Sequence, residues 1–313
     1  MRTASSAATY AARVVSAAVP ARSALTARAA DYLVLTKPRI ALLALLTVSA
    51  GYALGSADQW LIVPLLHALF GIGLVAAASS AFNQLIERES DALMPRTFNR
   101  PLPAGRLSAG EVLLFGLLTA SVGVVWLAVF VNLTTAVLSA MTLALYAGVY
   151  TPLKRRTSFC TAVGAIPGAL PPVLGWAASG ARLDLSAFSL FAVLFLWQFP
   201  HFLAIAWIYR TEYARADLKM LPTRGRLPRV TGLLSVGYAL ALVPFSLFPA
   251  ACGLAGGSYV AVALVLSVGY LAAAVRFAAG ESLQTARGLL WTSLVYLPVL
   301  LLTLVWDHFA LLT

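Results

Sequence analysis

Long apolar runs restrict the fold of this chain more than any other feature. Nine stretches of about 17 to 25 apolar residues, the length that a helix needs to cross the hydrocarbon core of a bilayer, follow one another along the 313 residues. Several connections between them are only a few residues long, so neighbouring helices must run antiparallel. We therefore predict an all-α polytopic membrane protein, an antiparallel bundle of about nine transmembrane helices that begin near residues 33, 60, 110, 133, 159, 186, 230, 258 and 288.

The composition leads to the same conclusion. Hydrophobic residues make up 61% of the chain, charged residues only 11%, and the mean hydropathy is +0.88. This balance excludes an ordinary soluble domain of this length. The lipid bilayer is thus the first partner that the sequence predicts.

Basic residues give the bundle an orientation. Every Lys and Arg except Arg182 falls in the amino-terminal segment or in connections on one predicted face. Short connections rich in Lys and Arg stay on the cytoplasmic side, so we predict a cytoplasmic amino terminus and an external carboxyl terminus. Arg224, Arg226 and Arg229 fit a purely topogenic role. The net charge of +11 is explained in this way without a nucleic-acid partner.

The first 30 residues, "MRTASSAATYAARVVSAAVPARSALTARAA", contain no acidic residue and are rich in Ala, Ser and Arg. We interpret residues 1–30 as a disordered basic tail on a bacterial inner-membrane protein, with residues 31–313 forming the helical domain. The same composition is typical of a mitochondrial transit peptide, so the inner mitochondrial membrane remains the alternative location.

A concentration of charge follows the second apolar run, in "AFNQLIERESDALMPRTFNRPL" (81–102). Asn83, Glu87 and Asp91 are spaced i, i+4 and i+8, so a helix that continues this far places them along one face. Amide and carboxylate oxygens suit Mg²⁺, and the guanidinium groups of Arg96 and Arg100 suit phosphate oxygens. The pattern indicates a magnesium diphosphate site, although a solvated ion-paired helix end would use the same residues.

Two further connections on the predicted cytoplasmic face offer matching chemistry. "YTPLKRRT" (150–157) contains Lys154 and Arg155 and no acidic residue, whereas "YRTEYARADLKMLP" (209–222) adds Glu212 and Asp217. Because these connections follow the fourth and sixth predicted helices, they lie on the same side as the acidic segment. We predict that three connections close over one polyanion.

His201 lies within the sixth predicted helix, next to Pro200 and near Trp197. Ionisable side chains at that depth are rare and often functional. A role in ligand binding and a neutral histidine bonded to a carbonyl freed by the proline kink are both compatible with this position.

Several stretches together resemble a known family. "NQLIERESDALMPRTFNRPLPAG" resembles the Asn- and acid-rich motif of the UbiA-type intramembrane prenyltransferases. The chain is more narrowly similar to the protoheme IX farnesyltransferase family of heme O synthases. This similarity is carried by "LTKPRIALLALLTVSAG" (35–51), "MPRTFNRPLPAG" (94–105), "YTPLKRRTSFCTAVGAIPGALPPVLGW" (150–176), "LWQFPHFLAIAW" (196–207) and "EYARADLKMLP" (212–222).

The resemblance implies a specific reaction. A farnesyl group passes from farnesyl diphosphate to a vinyl group of heme B, water adds, and heme O results, in a central cavity open toward the cytoplasmic side. It implies Mg²⁺ as the metal, and heme A synthase or oxidase assembly proteins as protein partners. The implied metal ligands are Asn83, Glu87, Asp91 and Glu212, and the implied catalytic cations are Arg96, Arg100 and Lys154. The implied substrate contacts are Tyr150, Arg155, Glu212, Trp197 and His201, with His201 as a ligand to heme iron or a contact to a propionate.

The third connection departs from the family pattern. Paired aspartates are expected before Tyr213 and a glycine after it, but the chain has Thr211, Glu212 and Asp217 at these places. This departure leaves the second metal position open. A prenyltransferase with a quinone-type acceptor shares the diphosphate site and is the nearer alternative. A transporter is the more remote one, because its ionisable groups should line a path through the membrane.

Overall fold

The computed structural model describes residues 24–56, 60–221 and 229–313, and all regular elements in these ranges are helical. Arg224 and Arg226 and most of the predicted tail lie outside them. Within the described residues, nine helical stretches are long and apolar enough to cross a membrane. We number them spans 1 to 9: Pro38–Gly55, Ile62–Ala92, Ala109–Phe130, Leu133–Leu153, Cys160–Ala178, Leu185–Ile208, Val230–Ala251, Gly257–Ala279 and Leu283–Leu312. The predicted count and order are confirmed.

The spans pack in two groups. Spans 1 to 5 share a core that includes Val48, Ile72 and Leu127, while spans 6 to 9 pack mainly around a larger core. Spans 5 and 6 join the groups, with a further contact between spans 1 and 9. Large apolar side chains such as Val129 and Leu302 stay 67% and 71% exposed, as expected for helices that face lipid. The nine apolar spans indicate an integral membrane protein.

A shorter helix, Ala24–Thr36, precedes span 1. The predicted tail boundary at residue 30 falls inside this helix, and the first span begins at Pro38 rather than near residue 33. Lys37 interrupts the helices because it adopts a left-handed conformation (φ 48°) and is followed by a proline, which favours the first turn of a new helix. The Gln84 side chain donates a 3.0 Å hydrogen bond to the Leu35 carbonyl and ties this turn to span 2.

Span 5 is broken at Leu170, between Cys160–Ala169 and Pro171–Ala178. Its second half, Pro171–Ala178, packs directly against span 1, where a Cβ atom on Gly175 would overlap the Val48 carbonyl. A glycine is therefore required here by close backbone approach. Span 4 is irregular in another way, since Ala144–Tyr150 forms a π-helix before the last turn.

Candidate functional site

The acidic face predicted on span 2 is present at its last turns. Span 2 has 31 residues and so is about 46 Å long, well beyond the roughly 30 Å of a hydrocarbon core. Asn83, Glu87 and Asp91 lie on this one helix and are 2%, 8% and 1% exposed. We call these three residues the acidic column. Its carboxylates are buried by neighbouring segments rather than solvated at a free helix end.

Each member of the acidic column contacts one cationic side chain, and the three cations come from three different segments. Lys37 Nζ lies 2.7 Å from Asn83 Oδ1, Lys154 Nζ lies 2.8 Å from Glu87 Oε1, and Arg100 Nη1 lies 2.6 Å from Asp91 Oδ2. Buried carboxylates need such partners, because an unpaired charge in a low-dielectric surrounding is strongly unfavourable.

Lys37 is a site residue for which the sequence predicted no role in the site. Its side chain reaches the acidic column because the left-handed turn before span 1 directs it toward span 2. Burial lowers the pKa of Lys37 to about 7, and the nearby charges of Arg100 and Lys154 act in the same direction. The sequence signals for Lys37 were the proline that follows it and its place in "LTKPRIALLALLTVSAG" (35–51), one of the stretches that resemble the family.

The π-helix of span 4 positions Lys154 beside the acidic column. The extra residue per turn changes the register, so Thr151 donates from its hydroxyl to the Tyr146 carbonyl (2.8 Å) while accepting from the Asn83 amide (3.3 Å). One turn later, the ammonium of Lys154 lies 4.5 Å from the centre of the Tyr150 ring. Burial lowers the pKa of Lys154, but Tyr150 and the Glu87 carboxylate outweigh this effect and hold the pKa well above its usual value.

The connection after span 6 folds over the end of the bundle that carries the acidic column, which we call the rim. The guanidinium of Arg96 lies 4.5 Å from the centre of the Tyr209 ring, and its Nη2 is 3.5 Å from the Tyr213 hydroxyl. Apolar contacts among Met94, Ala216 and Leu218 reinforce this approach. The amide of Lys219 also donates to the Lys154 carbonyl at 2.8 Å, so all three predicted connections meet.

A cavity of about 220 Å³ lies beside the acidic column at this meeting point. Glu87 and Thr151 line one part of it, and Arg155 and Leu218 line another. The Arg155 guanidinium is directed to Glu89, with nitrogen to oxygen distances of 3.4 and 3.5 Å, and makes no ion pair with the column. Its predicted substrate contact stays a prediction.

Asp217 and Glu212, the two acids of the third connection, differ in their surroundings. The Asp217 carboxylate is solvent-exposed, and an ion pair with Lys219 at 2.6 Å lowers its pKa. Its backbone has φ 50°, the left-handed conformation that favours glycine, which explains why glycine is expected at this position. Glu212 Oε2, by contrast, is buried without a hydrogen-bond partner in the described part of the chain.

Two carboxylate oxygens fit a divalent cation. Asp91 Oδ1 in the acidic column and Glu212 Oε2 in the third connection are buried and unpartnered among the described residues, and such oxygens are ligands that Mg²⁺ prefers. Within the same residues, no three side chains of the His, Cys, Asp and Glu types come together as a ready-made metal site. Magnesium is usually held by one or two carboxylates with water and phosphate oxygens, so the smaller donor set agrees with this ion.

His201 and Trp197 form a separate polar site within span 6. Their rings stack with centroids 4.9 Å apart, and His201 Nδ1 lies 2.7 Å from the Ser293 hydroxyl on span 9. The Trp197 indole donates to the Ser293 carbonyl at 3.0 Å. The predicted hydrogen bond from His201 to a carbonyl freed by Pro200 is not formed, because Ser293 supplies the partner.

Known proteins match the chain over most of its length. The profile of the UbiA prenyltransferase family covers residues 44–295. A protoheme IX farnesyltransferase from Solibacter usitatus is 48% identical over 279 residues, which are 86% of this chain and 96% of that protein. One from Koribacter versatilis is 42% identical over 89% of this chain and 93% of its own length.

Solved structures show the same fold. A digeranylgeranylglyceryl phosphate synthase superposes with a TM-score of 0.77, at 16% identity, over 90% of this chain and 99% of that chain. A UbiA homologue from Archaeoglobus fulgidus bound to GPP and Mg²⁺ gives a TM-score of 0.68 at 18% identity, with the same coverage.

Proposed function

The chain belongs to the UbiA prenyltransferase family and to its protoheme IX farnesyltransferase group, and from this premise we propose that it transfers the farnesyl group of farnesyl diphosphate to a vinyl group of heme B. Water adds in the same reaction and gives heme O. The observation that carries the proposal is the acidic column. Each of its three side chains on span 2 presents an oxygen atom to a cationic side chain from a different segment.

The acidic column and Glu212 are the proposed metal ligands. Asn83, Glu87 and Asp91 face one side of span 2, and the unpartnered oxygen of Glu212 belongs to the connection that closes over the rim. When bound, Mg²⁺ would neutralise charge on the diphosphate and make it a better leaving group. The carboxylates of Glu87 and Asp91 would hold the metal, and Lys154 and Arg100, which contact these carboxylates, would be available to the diphosphate.

The cations of the rim bind the diphosphate. Arg100, Lys154 and Lys37 lie against the acidic column, and Arg96 contacts two tyrosine side chains of the third connection. As the bond from oxygen to the farnesyl C1 carbon breaks, negative charge grows on the departing oxygen. Cations that are already oriented stabilise this transition state more than the ground state.

The acceptor chemistry requires an apolar interior. The vinyl group of heme B attacks C1 of the allylic cation left on farnesyl and forms the new carbon–carbon bond. Water then adds to the cation that forms beside the porphyrin ring and loses a proton, which leaves the hydroxyl group. A site enclosed by helices keeps water from the allylic cation until this first bond has formed. Trp197 and His201 are the proposed porphyrin contacts, since they present a stacked aromatic pair within a largely apolar span.

The charge distribution supports a location for the reaction. With the basic connections on the cytoplasmic side, the acidic column faces the compartment that supplies a water-soluble diphosphate, and the hydrophobic substrates enter from the bilayer. We place the protein in a bacterial inner membrane with a cytoplasmic amino terminus. Heme A synthase or oxidase assembly proteins are the proposed recipients of heme O.

Heme analysis of membranes tests the proposal. Membranes that contain the wild-type chain, supplied with heme B, farnesyl diphosphate and Mg²⁺, are expected to yield heme O by extraction and mass spectrometry. Asp91→Ala should abolish the product. Unchanged heme B with the folded wild-type protein would overturn the heme assignment, and a prenylated quinone in the same extract would identify the alternative acceptor.

A further inference from the structure

Ser293, which lies outside every motif recognised in the sequence, contacts both members of the His201 and Trp197 pair. Its carbonyl accepts the Trp197 indole hydrogen at 3.0 Å, and its hydroxyl lies 2.7 Å from His201 Nδ1. The same hydroxyl donates to the Leu290 carbonyl at 2.6 Å. Ser293 is fully buried, so water does not compete for these bonds.

These contacts determine where the imidazole proton lies. A serine hydroxyl carries one hydrogen, and in Ser293 it is directed to Leu290, one helical turn earlier. Tyr270 also interacts with the Ser293 side chain, but its hydroxyl hydrogen goes to the Trp197 carbonyl at 3.0 Å. The Ser293 hydroxyl oxygen therefore accepts the hydrogen bond from the ring, so His201 Nδ1 is the protonated nitrogen. No described residue forms a hydrogen bond with the other nitrogen, Nε2, which therefore keeps its lone pair.

We propose that Ser293 is a positioning residue, which holds His201 in the Nδ1–H form and leaves Nε2 as the ligand atom for the iron of the acceptor heme. The inference rests on the proposed function for the identity of the acceptor. Neutral imidazole is a good ligand for heme iron, and hydrogen bonding of the second ring nitrogen fixes the ring orientation and raises ligand basicity. Stacking on Trp197, itself held by Ser293, fixes the plane of the ring.

The tautomer is measurable without any substrate. The chain contains three histidines, so ¹⁵N-histidine labelling of the intact protein in detergent gives few ring signals, and a His201→Gln variant assigns those of His201. At a pH of about 8, where an ordinary histidine is neutral, we expect a protonated Nδ1 and an unprotonated Nε2. A protonated Nε2 in the wild-type protein would overturn the proposal.

Two variants of Ser293 separate positioning from folding. Ser293→Ala should lose the tautomer preference, whereas Ser293→Thr keeps a hydroxyl and should restore it. Ser189→Ala is the matched control, because Ser189 is also fully buried and donates to a carbonyl three residues earlier, but has no contact with His201. An unchanged tautomer in Ser293→Ala would contradict the assigned role.

Heme B titration followed by absorbance tests the second half of the proposal. We expect Ser293→Ala to bind ferric heme B about 10-fold more weakly and with an altered ligand-field spectrum, while Ser189→Ala behaves like the wild type. A changed tautomer with unchanged heme affinity and spectrum would overturn the role of Ser293 toward the acceptor. Failure of the wild-type protein to bind heme B would instead contradict the acceptor named under the proposed function, and the NMR result would stand separately.

Discussion

Carboxylates at the two ends of the bundle have different kinds of partner. At one end, Glu87 and Asp91 contact the side-chain cations Lys154 and Arg100. At the other end, Asp184 accepts from the amides of Ser186 and Ala187 at 2.9 and 3.2 Å. Asp307 likewise accepts from backbone amides, those of Gly256 and Tyr259, at 2.6 and 3.2 Å.

This difference separates a structural carboxylate from one that is able to bind a ligand. Backbone amides at a helix start are fixed, so a carboxylate bound to them stabilises the fold and has no reason to change partner. Long side-chain cations are mobile and can transfer their contact to an incoming anion while the carboxylate takes up a metal. We expect substitutions at the first end to impair activity and those at the second to impair stability.

The largest effect is expected from Asp91→Asn. The substitution keeps the size of the side chain but removes a charged metal donor and the partner of Arg100. We expect heme O formation to fall by about 100-fold or more, with the protein still folded in the membrane. The initial rate of product formation, normalised to folded protein, measures this effect. A rate within a few-fold of the wild type would place Asp91 with the structural carboxylates.

A pH effect is expected from Lys37. Its pKa of about 7 in the folded protein lies below the ordinary lysine value, so the unfolded chain binds more protons above pH 7. The free energy of unfolding should therefore rise with pH in this range, by on the order of 2 kcal/mol over two pH units.

In Lys37→Met this contribution should be absent. The measurement is the difference in unfolding free energy between wild type and variant at pH 7 and pH 9, in which the contributions of other groups cancel. If the free energy of unfolding changes equally with pH in the two proteins, the pKa of Lys37 is not lowered by folding, which would contradict this prediction.

Asp307→Asn should show the reverse of Asp91→Asn. The Asp307 carboxylate is buried and accepts hydrogen bonds from two backbone amides, and the substitution removes its charge. We expect a loss of about 1 to 2 kcal/mol in the free energy of unfolding. Thermal unfolding in detergent measures the loss. The rate of heme O formation per folded molecule should stay within about two-fold of the wild type, and a large drop in this rate would break the contrast between the two ends.

The smallest effect is expected from Asp217→Gly. Glycine adopts the left-handed backbone conformation at φ 50° without the strain that a side chain causes. The substitution also removes an exposed ion pair with Lys219, which contributes little to stability. We expect a small gain in thermal stability, measured by unfolding in detergent, and unchanged activity. A marked loss of activity on the same substitution would assign Asp217 a ligand role that its exposed carboxylate does not suggest.

The sequence predicted features that depend on local patterns. Apolar length predicted the nine spans, and helical spacing predicted a common face for Asn83, Glu87 and Asp91. The contact of Lys37 with Asn83 joins residues 46 positions apart, so no local sequence pattern predicts it. The π-helix before Lys154 and the partnership of Ser293 with His201 were missed for the same reason, because both depend on packing between distant helices.

Metal binding by the acidic column is the most direct test of the account. Mn²⁺, a paramagnetic substitute for Mg²⁺, is titrated by electron paramagnetic resonance into the wild type, Asp91→Asn and Asp307→Asn, with and without inorganic diphosphate. We expect diphosphate-dependent Mn²⁺ binding in the wild type and in Asp307→Asn, and its loss in Asp91→Asn. Equal binding in all three proteins would contradict the assignment of the metal and diphosphate site to the acidic column.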